Sequence, residues 1–120
     1  MQILVVSGRP MEIDNFLAPL KKLHDAKMVI AQNGTIALGE IKSDPPTFVI
    51  VDEGLPDFTP LELVTEIMKV NAMINTAVVS SLSAEDFHEA SEGLGVLSPI
   101  PPTPSEEDGA TLADLFTQFV

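Results

Sequence analysis

Five short runs of apolar, often β-branched residues recur along the chain and alternate with longer amphipathic stretches. Such runs are typical of strands that are covered on both faces of a parallel sheet. The predicted strands are Gln2–Val6, Lys27–Ala31, Phe48–Val51, residues 77–81 and a brief fifth strand at residues 96–97. The third run is the most hydrophobic, which predicts that it lies in the centre of the sheet.

The stretches between the strands carry apolar residues at three- and four-residue spacing, the pattern of a helix with one buried stripe. Thr59 precedes a proline, which predicts a helix N-cap with proline in the first turn. Ser83 and Ser105, each followed by acidic residues, predict the starts of two further helices. Pro19 lies inside the first stripe, where it removes a backbone hydrogen bond and predicts a kink or a restart. The last of the five predicted helices includes Phe119 in its buried stripe.

Strands that alternate with helices predict right-handed crossovers and a parallel sheet with helices on both faces. The length of 120 residues suits one domain of this α/β class. Because no internal repeat or linker divides the sequence, we expect a single unit over residues 1–120.

The charge and the distribution of apolar residues exclude several classes of partner. The formal net charge is -12, with 18 acidic residues against 6 basic ones, so the summed field repels the phosphate backbone of nucleic acid. No apolar run approaches the roughly 18 residues of a membrane span. The first residues lack the pattern of a secretory signal, and there is no cysteine. We expect a cytoplasmic protein that binds neither nucleic acid nor a membrane.

One carboxylate stands directly at the end of a predicted strand. In an open parallel sheet, sites form where loops leave the carboxyl ends of the strands. Those loops begin at Ser7, at Asp52, at Ser80 or Ser81, and at Ser98, so Asp52 is the candidate for chemistry. It is either a nucleophilic carboxylate or a solvated loop acid, because burying an unpaired charge is costly.

Three segments carry a resemblance to a known family: they read ILVV at residues 3–6, AQNG at residues 31–34 and VIVDEGLPD at residues 49–57. Their order and spacing resemble the receiver domain of response regulators in two-component signalling. The resemblance implies a flavodoxin-like (βα)5 three-layer sandwich, with a five-stranded sheet of order 2-1-3-4-5. It also implies that Asp52 accepts a phosphoryl group, and that Ser80 or Ser81 supplies the hydroxyl of the family's switch.

The same resemblance implies partners. A receiver is not an enzyme in its own right but contacts a histidine kinase or an output domain. The family commonly uses the face formed by the fourth helix, fifth strand and fifth helix for dimers or output contacts. A homodimer through this face is therefore one expectation.

The sequence departs from the family at two positions around the candidate site. Ser7 and Gly8 replace the two adjacent acidic residues that hold Mg²⁺ in receivers. Ser98 and Pro99 replace the family's lysine and proline at the end of the fifth strand. Asp52 alone makes a poor Mg²⁺ site, so we expect no cofactor. Mg²⁺ bound by Asp52 is the one alternative.

We hypothesise that the positive charge of Arg9 replaces that of the missing metal ion. Arg9 lies in the loop after the first strand, where its guanidinium can reach Asp52 and supply the missing positive charge; the alternative is an exposed arginine. The residues expected to line the site are Ser7, Gly8, Arg9, Gly54, Ser98 and Pro99.

Three functions follow in order of preference. The first is a receiver-like interaction module in which phosphorylation is impaired or absent. The second is a working phosphoacceptor that uses Asp52 with Mg²⁺. The third is a flavodoxin-like binder of a small molecule or nucleotide, which would need a phosphate-binding loop where only Gly8 is present.

Overall fold

The computed structural model describes residues 1–119. It contains five strands and five helices in strict alternation. The strands are β1 (Gln2–Val6), β2 (Lys27–Ala31), β3 (Phe48–Val51), β4 (Asn75–Val79) and β5 (Val96–Ile100). The helices are α1 (Asp14–Lys21), α2 (Gly34–Ser43), α3 (Pro60–Val70), α4 (Ala84–Ser91) and α5 (Glu106–Thr117).

The five strands form one parallel sheet in the order β2-β1-β3-β4-β5. This confirms the α/β class and the strand order implied by the resemblance. The carboxyl ends of β1 and β3 lie side by side, with Val6 paired to Val51. The loops after these two strands are therefore brought together at one edge of the sheet.

Helices cover the sheet on both faces, and each face has its own buried core. On one face α1 and α5 contribute Phe16, Leu17, Leu20, Leu112, Ala113 and Phe116. On the other face α2, α3 and α4 contribute Ala37, Ile41, Leu63, Val64, Ile67 and Phe87. The strands supply apolar residues to both cores, which explains why their sequences lack polar alternation. No helix within residues 1–119 is long and apolar enough to cross a membrane.

The predicted helix starts are confirmed. The side-chain oxygens of Thr59, Ser83 and Ser105 accept hydrogen bonds from backbone N–H groups of the first turns of α3, α4 and α5. At Thr59 and Ser105 the residue three positions later returns the bond, which completes a capping box. Each such cap stabilises its helix by about 1 kcal/mol.

Several expectations about element boundaries were wrong. β4 begins at Asn75 and ends at Val79, two residues earlier than predicted, because its first two residues are polar and gave no apolar signal. α1 runs past Pro19 and ends two residues later, so the helix neither stops nor restarts there. Phe119 lies beyond α5 with 49% of its surface exposed.

The fifth strand is also longer than predicted, and it includes Pro99. Proline is tolerated because β5 is an edge strand that pairs only with β4. The carbonyl of Ile100 accepts a hydrogen bond from the N–H of Ser80 and so faces β4. Backbone groups of successive residues in a strand point to opposite sides, so the nitrogen of Pro99 faces away from β4. No hydrogen bond of the sheet is therefore lost.

Candidate functional site

Asp52 follows β3 directly and is completely buried. Its backbone N–H donates to the carbonyl of Val6 at 2.9 Å, which continues the ladder between β1 and β3 by one residue. The neighbouring loop is held in the same way, since the N–H of Ser7 donates to Ala31 at 2.9 Å. The sheet therefore fixes the backbone on which both Asp52 and Ser7 stand.

Each carboxylate oxygen of Asp52 accepts two hydrogen bonds. Oδ2 accepts from Ser7 Oγ at 2.7 Å and from Arg9 Nε at 2.9 Å. Oδ1 accepts from Arg9 Nη2 at 3.0 Å and from the backbone N–H of Glu53 at 2.8 Å. A carboxylate offers about four acceptor positions, so the hydrogen-bonding capacity of Asp52 is fully used.

The ion pair hypothesised from the sequence is present in the structure. Arg9 contacts Asp52 through two parallel N–H···O bonds, the geometry that makes arginine–carboxylate pairs strong and directional. Its Nη2 also donates to the carbonyl of Pro102 at 2.6 Å. The Arg9 side chain is only 28% exposed. One guanidinium thus joins the β1–α1, β3–α3 and β5–α5 loops.

The surroundings of Arg9 favour its charged form. The hydrogen bond to Asp52 is the largest influence and raises the pKa of Arg9, and partial burial opposes it. The negative charges of Asp52, Glu12 and Glu53 raise the pKa further. Arg9 therefore carries its positive charge beside Asp52 at physiological pH.

Ser7 and Gly8 stand where the resemblance to receivers leads one to expect metal-binding acids. Ser7 is completely buried, and its hydroxyl both donates to Asp52 and accepts from the N–H of Arg9 at 3.0 Å. Gly8 is exposed and lines a shallow recess together with Arg9. Gly54 lies in the turn after Asp52 with φ of 78°, a left-handed conformation that favours glycine.

The expectation that Ser98 and Pro99 line the site was wrong. Both lie inside β5, paired with Ala77 and Val78, because the strand continues to Ile100. Two prolines, at positions 101 and 102, follow the strand end instead. Neither carries a charge, so the lysine of the family's pattern is still missing. The contribution of this loop to the site is the carbonyl of Pro102, which no side-chain pattern could have indicated.

The two hydroxyl candidates lie just past β4. Ser80 is half-buried, and its Oγ accepts a hydrogen bond from the N–H of Leu82 at 3.1 Å. Ser81 is exposed. Both line a cleft that also includes Glu53, whereas the Asp52 carboxylate has Ser7 as its hydroxyl partner. The structure brings together Ser7, Arg9 and Asp52, whereas the two serines line the cleft beside Glu53.

The residues around Asp52 do not fit Mg²⁺. This ion prefers hard oxygen ligands, usually at least one or two carboxylates, whereas the loop after β1 offers one hydroxyl, already engaged, and a glycine. The guanidinium stands where a cation would balance the charge of Asp52. Within residues 1–119 no three acidic, histidine or cysteine side chains are grouped as a metal site.

Asp57 has a structural role that the sequence did not indicate. Its carboxylate accepts from the N–H groups of Gly34 and Thr35, both at 2.9 Å, and from the Thr35 hydroxyl at 2.8 Å. The start of α2 is thus held by an acid from the loop after β3, in addition to its own N-cap Asn33. Only the fold brings these distant residues together.

Comparisons with known proteins support the fold. No family model matches the chain, and no curated relative does. Among solved structures, the chain is similar to a LuxR-family DNA-binding response regulator from Staphylococcus aureus, with a TM-score of 0.77, 20% identity, and coverage of 98% of this chain and 96% of that chain. It is also similar to the receiver domain of the putative response regulator NarL from Mycobacterium tuberculosis (TM-score 0.78, 13% identity, 98% and 95% covered).

A third similar structure is a CheY-like receiver domain protein from Methanospirillum hungatei, with a TM-score of 0.77, 19% identity, and coverage of 98% and 91%. These similarities extend over almost the whole chain. They confirm that it has the response-regulator receiver fold.

Proposed function

From the receiver fold and the Arg9–Asp52 ion pair, we propose that this chain is a signalling domain of two-component type that acts through protein contacts, without phosphorylation of Asp52. It is a cytoplasmic interaction module rather than an enzyme. Its partners are a histidine kinase or an output domain, and it does not bind nucleic acid directly.

The saturation of the Asp52 oxygens is the observation that carries this proposal. A carboxylate oxygen that attacks a phosphoryl group needs a free lone pair, and here each oxygen already accepts two hydrogen bonds. Phosphoryl transfer also depends on cations that neutralise the transferred group. Arg9 supplies one positive charge, but that charge already neutralises Asp52 itself. The pair favours a fixed conformation over a switch.

The partner surface is the face formed by α4, β5 and α5. Residues 71–120 contain eight acidic residues and no lysine or arginine, so two copies that met through this face would repel each other. A homodimer is therefore the weaker candidate, and a partner with positive charge is favoured. Because Pro99 blocks the outer edge of β5, contacts through the helices are favoured over addition of a strand.

The test is incubation with a small phosphodonor and Mg²⁺, followed by measurement of the intact mass. An ordinary receiver serves as the positive control, and Asp52→Asn serves as the negative one. We expect no added phosphoryl group on the natural chain under conditions that label the ordinary receiver. A phosphoryl group that the natural chain gains and Asp52→Asn does not would overturn the proposal in favour of a working phosphoacceptor.

A further inference from the structure

A cleft of about 210 Å³ opens between the first turn of α3, the end of β4 and α4. Its walls are mostly apolar and include Pro60, Leu61 and Phe87. Leu82 also lines the cleft and keeps 49% of its surface exposed. The cleft is separate from the Asp52 carboxylate, which is buried and does not line it.

Glu53 is the one charged residue among those that line the cleft. It is half-buried, and within residues 1–119 no basic side chain lies within ion-pair distance of its carboxylate. The nearby guanidinium of Arg9 donates from Nε and Nη2 to Asp52 and Pro102 instead. Arg9 is close enough for its charge to interact with that of Glu53, but it makes no ion pair with it, so the Glu53 carboxylate can still accept a hydrogen bond from an added cation.

The polar groups beside Glu53 suit a cation. Ser80, Ser81 and Thr59 are among the lining residues. The hydroxyl oxygens of Ser80 and Thr59 each accept one backbone hydrogen bond, and a hydroxyl oxygen has a second acceptor position for an ammonium or guanidinium group. The apolar walls suit the methylene stem that lysine and arginine carry below the charged head. An anionic ligand is disfavoured, because α4, which forms one wall, exposes Glu85, Asp86 and Glu89 and has no lysine or arginine.

We propose that this cleft binds a lysine or arginine side chain presented by a partner protein. The stem packs against Leu61 and Leu82, and the charged head pairs with Glu53. The charge complementarity and the apolar walls together select this occupant. This inference rests on the proposed function in one respect, namely that the ligand belongs to a partner protein. It adds that a basic side chain of that partner is what the chain recognises.

The test titrates the ¹⁵N-labelled chain with a short peptide that has one central lysine between alanine and glycine residues and is blocked at both ends. A second peptide replaces the lysine with norleucine, which keeps an apolar stem but lacks the charge. We expect amide shifts confined to Glu53, the β4–α4 loop and the first turns of α3 and α4. The norleucine peptide should bind at least about fivefold more weakly.

Two variants with the same loss of charge decide whether the cleft is the binding site. Glu53→Gln should weaken binding of the lysine peptide about fivefold. Glu12→Gln should leave it unchanged, because Glu12 also lies near Arg9 but does not line the cleft. Leu82→Ser, at a half-exposed position that folding tolerates, should weaken binding of both peptides.

Equal weakening by Glu53→Gln and Glu12→Gln would overturn the proposal, since binding would then reflect net charge alone. Shifts centred outside the cleft, or equal affinity for the two peptides, would also overturn it. The titration is carried out without a phosphodonor. Its result is therefore independent of whether Asp52 can be phosphorylated, and failure of one proposal is distinguishable from failure of the other.

Discussion

The α1–α5 layer and the α2–α3–α4 layer cover opposite faces of the same sheet, but different contacts hold them. In the first layer Gly109 lies against the backbone of Phe16, and the rings of Phe48 and Phe116 stack at 3.9 Å. The second layer has its own buried core and an additional cap that Asp57 supplies to α2, and it leaves the cleft beside Glu53 open. In the first, close-packed layer a Cβ on Gly109 would meet backbone, whereas in the second layer the nearest atoms to a Cβ on Gly34 would belong to side chains, and the cleft leaves space for a partner.

The largest expected effect comes from adding one methyl group to the close-packed layer. A Cβ on Gly109 would overlap the backbone carbonyl of Phe16, which cannot move aside as a side chain could. We expect Gly109→Ala to lower the free energy of unfolding by about 3 kcal/mol, as overpacking of a rigid contact does. Urea unfolding followed by circular dichroism measures this directly.

Gly39 provides the matched control for Gly109→Ala. It lies on the exposed side of α2, and a Cβ there would meet nothing within 4 Å. Gly39→Ala should therefore stabilise the chain by about 0.5–1 kcal/mol through helix propensity alone. If both variants changed stability in the same direction, the contrast between the two layers would be refuted.

The next largest effect concerns Arg9, which joins the loops that lead into α1 and α5. Arg9→Ala leaves Asp52 buried with two of its four hydrogen-bond donors. Loss of one partner of a buried pair costs several kcal/mol, but Arg9 is partly exposed, so we expect a loss of about 2 kcal/mol in the free energy of unfolding. Lys21→Ala removes the same charge from an exposed pair with Asp14 and should cost less than about 0.5 kcal/mol.

Hydrogen exchange separates this local effect from a general loss of charge. In Arg9→Ala the amides around Pro102 should lose protection, because the guanidinium no longer holds that carbonyl. In Lys21→Ala they should be unaffected. Equal destabilisation by the two variants would mean that the pair with Asp52 adds nothing beyond an ordinary surface contact.

The elements that could be predicted from the sequence are those with a local signal. Thr59 and Ser105 carry their cap signatures within four residues, and the apolar run at Phe48–Val51 identifies the central strand. The position of Asp52 after that run was sufficient to identify the candidate site. The pair with Arg9 could be hypothesised because both residues belong to loops that a parallel sheet brings together.

The errors fall where a local signal misleads or is missing. Prolines near Ile100 predict that β5 ends early, but an edge strand tolerates them, and Ser98 lies inside the strand rather than at the site. Phe119 continued a helical stripe in the sequence, yet α5 ends before it. The cap that Asp57 gives to α2 joins residues more than 20 positions apart, which no local pattern encodes.

The smallest predicted effect tests whether that cap holds the second layer. Asp57→Asn keeps one acceptor oxygen but removes the charge that faces the start of α2. We expect a loss of about 1 kcal/mol in the free energy of unfolding at neutral pH. Asp44→Asn makes the same change at the other end of α2, where a negative charge is unfavourable, so this control should be neutral or slightly stabilising.

The pH dependence of the Asp57 effect has a definite sign. Burial acts to raise the pKa of Asp57, but hydrogen bonds from Gly34 and Thr35 outweigh it, and the pKa is lowered from its ordinary 3.8. A lowered pKa means that the stabilisation is complete above pH 3.8 and is lost as the pH falls through the folded-state value. The stability difference between the natural chain and Asp57→Asn should therefore shrink in acid. A difference that stays constant down to the acid limit of folding would show that the carboxylate charge does not hold α2.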